Sequence, residues 1–126
     1  MGNLETSVIG WFITKVGASD PALRQQLAQA SISEREYTSG AGVFLSLSYA
    51  ANAPLPPCTH HASLDGPEIR SPEMSAGALA TLHFTNGLAS SIEIWSYAGD
   101  YPTDGHPREF SLVDPQLDIV DLRREP

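Results

Sequence analysis

Apolar residues between Leu4 and Val16 (Leu4, Val8, Ile9, Phe12, Ile13, Val16) recur at three- and four-residue steps, the spacing of one stripe on a helix. Asn3 suits its N-cap and Gly17 its end. Pro21, tolerated at a first helical position, opens a second helix running to about Ala30, with Leu23, Leu27 and Ala30 on one stripe and Arg24, Gln25 and Gln29 outside it. The period then changes to two. Ile32 to Thr38 and Val43 to Tyr49 read as strands joined through Ser39, Gly40, Ala41 and Gly42, with Val43, Leu45, Leu47 and Tyr49 sharing a face. Prolines 54, 56 and 57 forbid helix and sheet interior, so Ala50 to Asp65 is expected to be an exposed connection. A short strand is expected at Glu68 to Arg70.

Asn86-Gly87 is the sharpest local signal, because a two-residue hairpin turn wants positive φ at both central positions. It predicts a hairpin of Ala78 to Thr85 with Leu88 to Tyr97. A regular register pairs Leu82 with Ser91 and Ala80 with Glu93, setting Leu82, Phe84, Glu93, Trp95 and Tyr97 on one face. Leu79, Leu88, Ile92 and Ile94 then share the other face with Thr81, His83 and Ser90, so both faces carry apolar residues and both call for cover. After an irregular stretch from Gly99 to Pro107, further strands are expected at Glu109 to Val113 and Leu117 to Leu122. Helices first and strands after imply a single α+β domain over residues 1–126, with two N-terminal helices packed on one mostly antiparallel sheet of four to six strands.

Composition agrees with a folded domain: 41% of residues are hydrophobic and 17% charged, the latter below the roughly 25% usual in globular chains. Charge narrows the partners. Asp plus Glu number 15 against 7 Lys plus Arg, a formal net charge of -8, which repels nucleic acid and steers a basic protein toward the chain. Cys58 is the single cysteine, so the chain forms no internal disulfide and a reducing, cytoplasmic setting is expected. No apolar run approaches the roughly 20 residues of a membrane span, and no membrane partner is expected.

The segments Arg35-Glu36-Tyr37-Thr38-Ser39-Gly40-Ala41-Gly42-Val43-Phe44, Ile69-Arg70-Ser71-Pro72-Glu73, and Gly77 to Tyr101 around Asn86-Gly87 and Glu93-Ile94-Trp95-Ser96-Tyr97 resemble a group of small uncharacterised bacterial proteins. That group looks like a helical start, a Thr-Gly strand turn, an Asn-Gly or Asp-Gly hairpin, a Leu-Glu-aromatic segment and an acidic, proline-containing loop. The likeness covers Leu23 to Val113. It implies a bacterial intracellular domain, with Glu93 and the Gly99 to Asp104 loop among the recurrent features, and it implies no particular chemistry.

Catalytic signals are sparse. Cys58-Thr59-His60-His61 is the one local cluster of metal-type ligands, but zinc sites need four ligands, and His83 and His106 lie far along the chain; no metal or cofactor is expected. Gly40-Ala41-Gly42 lacks the lysine and following helix of a phosphate loop. Glu93 beside Trp95 and Tyr97 is a carboxylate on an aromatic strand face, followed by Asp100, Tyr101 and Asp104 in the loop. Interleaved aromatics and acids make anchors with a charged rim at protein interfaces.

These six residues are therefore the expected partner-binding site of a small acidic domain that masks a basic protein, as an immunity protein inhibits a toxin. The alternative is a small-molecule binder or enzyme with Glu93, and with it His106 or Asp104, in a pocket between sheet and loop. A third expectation, a homodimer, comes from the two-faced hairpin.

Overall fold

A computed structural model describes residues 3–51, 55–57 and 62–115. The chain is an α+β fold in which two helices cover one face of a six-stranded, wholly antiparallel sheet. Helix α1 spans Leu4–Trp11 and continues into a π-helical turn, Phe12–Val16. The Asn3 side chain accepts from the Thr6 N–H at 2.8 Å and caps its start. Helix α2, Pro21–Gln29, is capped by Asp20, which accepts from the Leu23 N–H. The strands are β1 (Ser31–Tyr37), β2 (Gly42–Ser48), β3 (Ser63–Ser71), β4 (Met74–Thr85), β5 (Leu88–Ser96) and β6 (Ser111–Val113), in the spatial order β1-β2-β5-β4-β3-β6.

The helical stripes supply the core, with Ile9, Ile13 and Val16 partly buried at its edge. Leu4, Val8, Phe12, Leu23 and Leu27 are buried against Val43, Leu45, Ile69, Ala80, Leu82, Ile92 and Ile94. Asn86 and Gly87 take positive φ, 53° and 81°, as the predicted turn requires.

Two expectations need correction. Strand β3 begins at Ser63 and is nine residues long, so the connection ends sooner than expected and the strand is longer than Glu68 to Arg70. It accommodates Gly66 and Pro67 at a bulge between Asp65 and Glu68, where a proline's missing N–H interrupts no ladder.

The hairpin register also differs. Phe84 pairs with Ala89 but His83 pairs with Ser91, leaving Ser90 as an extra residue. Its hydroxyl donates to the His83 carbonyl (3.3 Å) and lies 3.0 Å from the Thr85 hydroxyl. Beyond this bulge every pairing slips by one: Leu82 meets Ile92, Ala80 meets Ile94, and all four are fully buried on the helix side. Glu93 pairs with Thr81 and Trp95 with Leu79 on the opposite side. The aliphatic residues Leu82, Ile92 and Ile94 are thereby gathered on the helix side, while Leu79 and Trp95 stay on the far one. Cys58 to His61 and the expected strand from Leu117 to Leu122 lie outside the described residues.

Candidate functional site

Among the described residues, no element covers the sheet face away from the helices. Register places side chains on it in rows that cross the strands. One row runs Glu36, Phe44, Glu93, Thr81, Asp65 from β1 to β3; a second holds Trp95 between Gly42 and Leu79, with Glu68 beyond; a third runs Glu34, Ser46, Ser91, His83, Ser63. Phe44, Trp95 and Tyr97 are 37%, 48% and 42% exposed, the large hydrophobic side chains of the described residues that remain most in water. Trp95 and Tyr97 form an edge-to-face pair, with centroids 5.2 Å apart and planes at 88°. Partial burial, and then the charges of Glu68 and Asp65, push the Tyr97 phenol above its ordinary pKa.

Because of the bulge, His83 and Glu93 share this face, contrary to the regular register, which puts them on opposite sides. His83 Nε2 lies 3.0 Å from Glu93 Oε1, so the carboxylate is held beside a ring that can donate to it. Arg70 donates to Glu68 at 3.0 Å.

The expected loop residues divide among three environments. Asp100 closes the loop: it accepts from the Ser75 N–H at 2.8 Å and from the Ser96 hydroxyl at 2.9 Å. These two donors hold its carboxyl below the usual range. Tyr101 is 2% exposed and belongs to the core. Its hydroxyl is 2.7 Å from His106 Nδ1, whose Nε2 is 2.7 Å from Glu5 Oε2, and Glu5 in turn receives a bidentate pair from Arg35, with Nη2 to Oε1 at 2.7 Å. A carboxylate only accepts, so His106 Nε2 donates to Glu5, and its Nδ1 and the Tyr101 hydroxyl share the second hydrogen bond. Tyr37 stacks at a tilt on His106, 5.9 Å between centroids. Asp104 is exposed near this cluster. The structure thus brings Glu93, Trp95 and Tyr97 together, while Asp100, Tyr101 and Asp104 lie apart from them in distinct surroundings.

Phe44 and Glu36 are members of the open face that the reading of the sequence missed. The signal was present: Val43 and Leu45 face the core, so Phe44 between them must face away. Glu5 and Arg35 were missed because only folding joins α1, β1 and the distant loop.

A cavity of about 500 Å³ opens between the β3–β4 turn and β6, lined by Arg70, Pro72, Met74, Gly77, Glu109 and Phe110 among others. Glu93 is not part of it. Among the described residues no group of three or more His, Cys, Asp or Glu is gathered as a metal site, and no helix is long and apolar enough to cross a membrane. Comparison with known proteins finds no matching family model, no matching curated protein and no matching solved structure.

Proposed function

We propose that the chain is a small acidic binding protein whose open sheet face covers a basic patch on a partner protein, in the manner of an immunity-type inhibitor masking a toxin. The observation that carries this reading is the exposure of Phe44, Trp95 and Tyr97 together on a sheet face that no described element covers. Exposed aromatics of this size are the residues that anchor interfaces once desolvated. Around them stand Glu34, Glu36, Asp65, Glu68 and Glu93, on a chain of net charge -8, so a basic surface is both steered to the patch and matched by its rim. Two copies meeting through this face would oppose carboxylate to carboxylate, which favours a basic partner over a second copy.

The test is capture of partners from a lysate of the source organism on the tagged protein, washed at low and high salt, beside a Trp95→Ala variant. A stoichiometric basic protein, released by salt and lost with Trp95→Ala, is the expected result. Recovery of the protein alone, or equal capture by the variant, removes the proposal.

A further inference from the structure

The open face has a finer chemistry than a general negative charge. Phe44 stands directly between two carboxylates, Glu36 on β1 and Glu93 on β5, at the roughly 5 Å Cβ spacing of cross-strand neighbours. Trp95 follows two residues beyond Glu93 on the same face, and Gly42, its neighbour on β2, puts no side chain beside it. Trp95 and Tyr97 present two ring faces at right angles. The carboxylates of Glu34 and Glu36 form no ion pair with a described cation, and Glu93 gives one oxygen to His83 and keeps the other.

A ring flanked in one row by two acceptors matches a planar cation. A guanidinium stacks its plane on an aromatic face while its N–H groups, which lie in that plane, reach outward to carboxylates on either side. An ammonium offers a strongly hydrated point charge with no plane to stack. Resting on the basic-partner reading above, we propose that this face recognises arginine in preference to lysine: the partner lays guanidinium groups on Phe44 and Trp95, and Glu36 and Glu93 accept their N–H groups.

Calorimetric titration of the full chain at low salt with a short arginine–serine repeat peptide, and with its lysine–serine counterpart of equal charge, tests this. The arginine peptide binds about tenfold more tightly than the lysine peptide. That advantage falls to near unity in Phe44→Leu with Trp95→Leu, which removes the rings but keeps every charge, and in Glu36→Gln, which keeps the rings. All three positions are exposed, and an unchanged urea midpoint confirms that the variants fold.

Equal, salt-sensitive binding of the two peptides, or an arginine advantage that survives loss of both rings, overturns arginine selectivity and leaves the basic-partner reading standing. No binding of either peptide also overturns it, and an empty lysate capture in addition removes the reading it rests on.

Discussion

Gln26 has no exposed surface, yet each of its polar atoms is used: its amide N–H groups donate to the Pro56 carbonyl (2.8 Å) and the Gly87 carbonyl (2.9 Å), and its oxygen accepts from the Ala89 N–H (2.9 Å). One side chain on α2 therefore binds the start of β5, its turn and the proline segment. Its neighbours Leu23 and Leu27 were legible as core from spacing, but a glutamine beside that stripe carries no mark of burial in the sequence. Gln26→Leu keeps the volume and strands a buried N–H and two carbonyls, so unfolding in urea should show a loss of about 3 kcal/mol. A loss within 0.5 kcal/mol, the roughly neutral range of surface changes, would refute that role. Gly66 is set by sterics instead: a Cβ there would stand 2.3 Å from the Phe12 ring. Gly66→Ala should cost about 2 kcal/mol, and Phe12→Leu should recover part of it in a double-mutant cycle, because the two positions share one space.

At the scale of elements, both helices, the Asn-Gly turn and the strand alternation of β2 follow from periodicity. The bulges at Gly66-Pro67 and at Ser90 do not, since each depends on which residue the neighbouring strand leaves unpaired. That single residue at Ser90 parts Leu82 from Glu93 and Trp95, setting it with Ile92 and Ile94, and brings His83 to Glu93, so the fold class was legible while the composition of the open face was legible only in part. The loop after β5 illustrates the same limit: Tyr101 reads as an interface aromatic, but it is the buried end of a chain through His106 and Glu5 to Arg35 that ties the loop to α1 and β1.

This chain gives the fold a defined response to pH. The Arg35 guanidinium, then His106, hold the Glu5 carboxyl below its ordinary 4.5 despite its partial burial. A carboxyl lowered on folding contributes stability above about pH 4.5, and that contribution is lost as pH falls through the folded value. Tyr101 is raised far above 10.0, chiefly by burial, so its neutral form is the one the fold retains; stability is complete below about pH 10 and falls as pH rises further. Chemical denaturation across pH should show both limbs. Glu5→Gln should make the acid limb shallower, Asp100 and Asp114 supplying the rest of it, and leave the alkaline limb unchanged, while Tyr101→Phe should make the alkaline limb shallower and leave the acid limb unchanged; an unchanged profile in either variant would exclude that residue as a cause.

For the whole molecule, the open face and the net charge of -8 act against each other. Phe44, Trp95 and Tyr97 leave apolar area in water that a second copy could cover, while Glu34, Glu36, Asp65, Glu68 and Glu93 bring like charges into the same contact. At neutral pH and low salt the repulsion should dominate and the protein should be a monomer. Salt shortens the reach of exposed charges to about 3 Å at 1 M, whereas burial of aromatic area is not weakened by it. Light scattering at rising salt should therefore show weak self-association, absent in Phe44→Ser with Trp95→Ser. Those exposed changes should leave the urea midpoint within about 0.5 kcal/mol of the parent. A dimer at low salt would mean that the carboxylates do not keep copies apart, and high-salt association that persists in the double variant would mean that copies meet through another surface. If association does depend on the rings, the carboxylates that keep copies apart are the same ones that the proposal sets against a basic partner, so one set of side chains would govern both contacts.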